Sequence, residues 1–343
     1  MTSLLKRGAF AVLASLLVAL VSANATVTGE FRIAIDPAKE VSVFFSPTTT
    51  GTIRVESVFK PLGNKYSIKL LRSDQPEPLA QAEGIDALTL TFAVDRPLPG
   101  VSWRLIVQNL ADRTLSGLVE ITYPRANCKE LAAEFSLDLR YVNENVPLQD
   151  EQCLVMHKTM RSIPEESSSG LQKIIAFPQD PEIAGQYIQK TIRIYGDLQG
   201  ARLARVFFHE MGHHIQFAHF TEAHQSHWED LNKRSGSDSD NYARLYGRTN
   251  QFEDFATMFE AYTDSTSGIL ATAQSRNSRG KPILFEKVKF ISALLRHDRN
   301  GTAHTYIYRT DSLFGDARIL RASVALDADN VPQIPDDPEW EEF

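Results

Sequence analysis

The chain has 343 residues, 43% of them hydrophobic and 23% charged, with 43 Asp and Glu against 36 Lys and Arg for a formal net charge of −7. That acidic balance excludes a basic surface for nucleic acid or anionic lipid. Two cysteines exclude a disulfide-dense scaffold but allow a single bridge.

Residues 1–25 read as an export signal. Lys6 and Arg7 give a basic start, Ala9 to Val21 is apolar save for Ser15, and Ala23-Asn24-Ala25 fits a small-x-small cleavage pattern. The apolar stretch is short for a bilayer and no later segment is longer, so no stable membrane insertion is expected after cleavage. The mature chain is expected to be secreted or periplasmic, and loss of Lys6 and Arg7 takes its charge from −7 to −9 (−7 − 2). From Thr26 to Pro124, short alternating runs are separated by Pro-, Gly- and Asp-containing breaks: Phe31–Ile35, Val41–Phe45, Thr52–Val58, Tyr66–Leu71, Leu88–Val94, Val101–Gln108 and Ser116–Tyr123. This spacing predicts an antiparallel β-sandwich over 26–125. The stretches Trp103–Asn109 and Gly117–Pro124 resemble the closing strands of small sandwich domains appended to secreted bacterial peptidases. No catalytic cluster falls here, which leaves a spacer and a targeting module equally open.

The texture changes at Ala126. Lys129–Arg140 reads as a helix, Lys173–Phe177 and Lys190–Tyr195 as strands, and about 202–220, 250–263 and 283–297 as helices. Thr191–Tyr195 alternates and is expected to be an edge strand able to pair with a substrate backbone. Residues 322–343 hold seven carboxylates and no Lys or Arg, which predicts a disordered acidic tail and leaves 126–321 as the second domain. Cys128 and Cys153 are expected to pair, closing a loop that stabilises by roughly 3 kcal/mol. The rival reading makes one of them a thiolate on a metal in a latent form.

His209-Glu210-Met211-Gly212-His213 carries the chemistry. Two histidines four apart on a helix point the same way and can share one Zn²⁺, while the glutamate between them can take a proton from water. Ala204, Val206, Phe207, Phe208, Ile215 and Phe217 predict burial on two sides, with Arg202, Arg205 and Gln216 on a wet third. Gly212 costs roughly 1 kcal/mol of helix propensity, which makes sense if another element packs closely there.

A catalytic zinc usually takes a third protein ligand. His219 has metzincin spacing, but Gln216 stands where that pattern breaks the helix at a glycine, and ten further helical residues put His219 about 15 Å away. Glu253 and Asp254 lie on the helix after Asn250, about 100° apart, so only one of them can face the metal. Glu253 shares a face with Ala256, Thr257 and Glu260, and small Ala256 would let the two helices approach closely. Asn250-x-x-Glu253 also fits a capping box, which would occupy the glutamate.

Tyr246-Gly-Arg-Thr-Asn250, followed by Glu253, Phe255 and Ala256, resembles the catalytic domain of anthrax lethal factor and its relatives. The resemblance runs from about Thr191 to Ile291 and does not cover the sandwich. It implies a mainly helical zincin-like metallopeptidase domain with a small sheet, which with the sandwich read from strand spacing makes an α+β chain. It also implies one zinc ion on His209, His213 and Glu253, with Glu210 as general base and Tyr246 as the catalytic tyrosine. Thr257 departs from it, since relatives often carry an acid there. The function expected is a secreted zinc endopeptidase acting on protein or peptide substrates. The alternatives are an adhesion or carbohydrate-binding protein with a relic metal domain, and a zinc amidase acting on cell-wall peptide.

Overall fold

A computed structural model describes residues 27–98, 100–143, 147–313 and 316–343, so the expected export signal lies outside the described residues. The fold class is α+β, as expected. The chain divides into two units, Met1–Cys153 with Lys173–Pro178, and Leu154–Gln172 with Gln179–Phe343. The sandwich unit therefore extends past the expected boundary at 125.

Eight strands build most of the first unit: β1 (Val27–Ile35), β2 (Glu40–Phe45), β3 (Gly51–Lys60), β4 (Lys65–Arg72), β5 (Gln75–Ile85), β6 (Ala87–Val94), β7 (Trp103–Asn109) and β8 (Leu115–Tyr123). One sheet runs β2-β7-β4-β5, and in the other β1, β8, β3 and β6 are neighbours in that order. All of these pairs are antiparallel. Alternate residues such as Ile53, Val55 and Phe59 of β3 are buried with Tyr66, Ile68 and Trp103.

Helix α1 (Ala126–Phe135) stops short of the expected Arg140, because Ser136 takes a left-handed conformation (φ 55°). The chain then enters β9 (Asp138–Tyr141), which pairs in parallel with β1, and β10 (Lys173–Phe177) pairs in parallel with β9. The sheet is thus mixed, not purely antiparallel.

Cys128 of α1 is bonded to Cys153 in the first turn of α2 (Asp150–Ser162). Both cysteines lie in the first unit, so the bridge braces the sandwich unit.

The second unit holds most of α2, then α3 (Glu165–Ser168), the hairpin β11 (Gly185–Ile188) and β12 (Thr191–Tyr195), α4 (Gly200–His219), α5 (Glu222–Ser235), α6 (Gln251–Asp264), α7 (Thr266–Asn277) and α8 (Ile283–Leu294). A four-stranded antiparallel sheet follows: β13 (His297–Arg299), β14 (Thr302–Leu313), β15 (Asp316–Ala325) and β16 (Glu341–Glu342). The unit is mainly helical with a small sheet, as expected.

The acidic tail is ordered, which corrects the expectation for 322–343. Ala322–Ala325 complete β15, and Glu341 and Glu342 pair with Arg321 and Arg318, each at 2.7 Å. Ile334 and Trp340 pack on Ile307, Ala322 and Val324. Arginines just upstream neutralise the tail, and its few apolar residues find a cluster.

Replacing both cysteines by alanine is expected to lower the unfolding free energy by about 3 kcal/mol, the chain-entropy value for a loop of this length. Denaturant titration of the two forms reads the difference.

Candidate metal centre

Helices α4 and α6 bring the site together. A Cβ on Gly212 would lie 2.8 Å from the Ala256 backbone and 3.3 Å from Phe259 Cβ. No side chain fits there, so the glycine and the small alanine that the sequence singled out are what let the helices touch.

His209, Glu210 and His213 lie on consecutive turns of α4. Asn250 caps α6, its side chain accepting from the Phe252 N–H at 2.8 Å and the Glu253 N–H at 3.0 Å. The Asn250 half of the capping box is formed, while the Glu253 carboxylate points elsewhere: it lies 3.0 Å from His209 Nε2 and 3.4 Å from His213 Nε2. These three side chains offer ligand atoms within 4.8 Å of one another and form a potential metal-binding triad. Two imidazoles and a carboxylate are a donor set that fits a divalent ion of borderline softness.

Asp254 does not compete for the site. It is buried on another face of α6, 2.7 Å from Lys287 Nζ and 2.9 Å from Asn232 Nδ2. Lys287 is fully buried; it also donates to the Asn241 carbonyl at 2.9 Å and lies 4.3 Å from the Tyr242 ring centre. Burial pushes the Asp254 carboxyl up and the Lys287 ammonium down, and each partner opposes the other's shift.

His219 stays on α4 and donates to the Ser169 carbonyl at 3.0 Å, away from the triad. His214 is fully buried between that same carbonyl (3.0 Å) and the Tyr187 hydroxyl (3.2 Å). His224 joins a capping box with Thr221 at the start of α5. Cys128 and Cys153 are bonded to each other, which removes the latent-thiolate reading.

Glu210 sits beside the triad and is 3% exposed. One carboxylate oxygen faces β11, where a Cβ on Gly185 would fall 2.5 Å away; the other, Oε2, is buried with no hydrogen-bond partner among the described residues. An orphaned carboxylate oxygen beside three convergent ligand atoms is what a site for an ion and its water would leave. Burial, and then the charges of Glu253 and Glu260 against the pull of His209, push the Glu210 carboxyl up to about 8.

Tyr246 lies in the 3₁₀ turn Leu245–Arg248, its ring centre 5.8 Å from that of His209. Burial and the charges of Glu253 and Glu210 raise its phenol, which keeps it protonated and able to donate.

The sequence placed Glu260 on the triad's side of α6 without giving it a role. Its Oε2 lies 3.4 Å from His209 Nδ1 and its Oε1 2.9 Å from Arg244. A carboxylate on Nδ1 fixes the tautomer that presents Nε2 to a metal. The usable signal was its seven-residue spacing from Glu253, two helical turns along one face. Thr257, where relatives of the resembled family carry an acid, is buried with its hydroxyl unpartnered among the described residues.

Two expectations about surfaces are reversed. Gln216 is buried, and Phe217 is 58% exposed. The strand at the end of the sheet order is β11, not Thr191–Tyr195, and β11 packs along α4.

No family model and no curated protein matches the chain. Among solved structures, it is similar to the Yersinia pseudotuberculosis-derived mitogen (14% identity, 29% of this chain and 89% of that one, TM-score 0.25). It is similar also to the pre-peptidase C-terminal domain of collagenase from Bacillus anthracis (15% identity, 28% and 91%, TM-score 0.22). The M60 catalytic domain from Clostridium perfringens ZmpC, in complex with the sialyl T antigen, aligns over 84% of each chain at 10% identity and a TM-score of 0.21. Likenesses this distant leave function to the site itself.

In the metal-free protein, burial pulls the His209 imidazole down, but its hydrogen bonds to Glu253 and Glu260 outweigh this and raise it to about 9. A metal must displace that proton at any pH below about 9. Co²⁺ titration of metal-free protein is therefore expected to show affinity rising by up to about tenfold per pH unit between pH 6 and 9. Glu260→Gln is expected to weaken binding about 10- to 100-fold in the same titration.

Lys287→Met leaves the Asp254 carboxylate buried without its countercharge. Chemical denaturation is expected to show a loss of about 3–5 kcal/mol.

Proposed function

We propose that this chain is a secreted zinc-dependent endopeptidase of the kind its metal motif resembles. One observation carries the reading: a buried carboxyl, Glu210, with one oxygen unpartnered among the described residues, stands beside His209, His213 and Glu253 where their ligand atoms converge. A zinc ion held by those three side chains would supply Lewis acidity and lower the pKa of a water to about 7.

The remaining steps belong to the chain. Glu210 accepts a proton from the attacking water and returns it to the leaving amine. Tyr246, held protonated, donates a hydrogen bond to the developing oxyanion. Glu260 holds His209 in the ligating tautomer, with Arg244 behind it. Strand β11 has β12 as its one strand partner among the described residues, so its outer edge can take an extended peptide past Glu210. The disulfide supports action outside the cytoplasm.

Zinc content and peptide cleavage, measured together, test the reading. Glu210→Gln is expected to keep one zinc per chain and lose activity by at least about a thousandfold. Tyr246→Phe should keep zinc and lose about 10²–10³ in kcat, the range for a lost oxyanion donor. Full activity in Glu210→Gln would refute the mechanism.

A further inference from the structure

Phe217 is out of place for a large apolar side chain. It lies one turn beyond His213 on the same face of α4, and its ring is near-parallel to three others. Phe252 of α6 is 5.0 Å away, Tyr187 of β11 is 6.0 Å away, and His213 is 6.4 Å away, at interplanar angles of 26°, 10° and 30°. A ring with three such neighbours is normally covered, yet this one is 58% exposed. Among the described residues of the second unit, the large apolar and aromatic side chains that stand exposed are Phe217, Leu245 and Tyr246. Phe217 stacks beside one metal-triad histidine and Tyr246 lies beside the other. Exposed apolar surface is thus concentrated at the site, which marks a binding surface.

The edge strand supplies the geometry. Gly185 and Tyr187 are two apart on β11, so they face the same way. Gly185 lies on Glu210 and Tyr187 stacks on Phe217. An extended peptide added to the outer edge of β11 would set every second side chain in line with this pair. With its scissile bond near Glu210, a side chain within about two residues would land on the Phe217 ring.

Resting on the peptidase reading above, we infer that Phe217, stacked against Tyr187 and Phe252, is a specificity-determining residue that receives a bulky apolar or aromatic side chain of the substrate close to the scissile bond. Phe217 touches no reacting atom in this scheme; it selects which peptides are held.

The test uses the zinc-loaded full chain and a peptide library varied among Phe, Leu, Gly and Asp at each position. Wild type is expected to cut with Phe or Leu at one constant position within two residues of the cleaved bond. Phe217→Ser is expected to retain zinc and to reduce the Phe-over-Gly ratio of kcat/KM by about tenfold or more, with Phe217→Tyr restoring it. Binding of the same Phe and Gly peptides to zinc-loaded Glu210→Gln, read by fluorescence anisotropy, should show the same ratio without turnover. Cleavage with no apolar preference, or an undiminished preference in Phe217→Ser, overturns this inference and leaves the peptidase reading standing. A wild type that loads zinc and cuts no peptide overturns both.

Discussion

The near-contact of α4 and α6 at Gly212 and Ala256 is the constraint on which the site depends. With no side chain between them, the helices approach closely enough for a short Glu253 side chain to reach two imidazoles on the facing helix. Each end of that arrangement is held separately. Asn250 satisfies the first amides of α6, so Glu253 need not. Asp254 and Lys287 pin another face of α6, and Lys287 also grips the Asn241 carbonyl in the segment leading to Tyr246. A buried ion pair next in sequence to Glu253 fixes the rotation of the helix, and so decides which acid faces the two histidines.

The same closeness creates an electrostatic problem. Glu210, Glu253 and Glu260 crowd two histidines where little water remains. Without a cation, protons fill the deficit. The imidazole of His209 rises, and the carboxyl of Glu210 rises with burial. Burial pushes Glu253 up, but hydrogen bonds from His209 and His213 outweigh it and hold the carboxyl down at about 2. A divalent ion would take over the positive charge those protons supply. Arg244 answers the outer oxygen of Glu260, so the cluster grades from a proton- or metal-filled centre to an ordinary ion pair at the surface.

Much of this was legible in the chain. The alternating runs of the sandwich marked their strands to within a few residues, because two packed sheets impose a two-residue period. The missed strand, Gln75–Ile85, carries Pro76 and Pro78 and reads as a loop. It survives as a strand because it ends its sheet, where one side of the backbone needs no donor. The acidic tail misled for a related reason: local composition argued for disorder, while the arginines and apolar residues that order it lie on β15 and β14. Gln216 and Phe217 exchanged their expected places, since helical periodicity gives a face its direction but not what, if anything, covers it.

By itself, the sequence determined the pentad, the helix that carries it, the cysteine pair, and the small residues that make a close helix crossing allowable. Those features are local in cause: spacing sets direction on a helix, and the size of a side chain sets how near a neighbour can come. Only the tertiary structure decided that Glu253 and not Asp254 turns to the histidines, that Glu260 backs His209, and that the open edge belongs to Gly185–Ile188. The first two depend on partners distant in the chain, Lys287 and Arg244, and a rotation of about 100° about a helix axis, enough to exchange one acid for the next, is set by such partners and not by spacing.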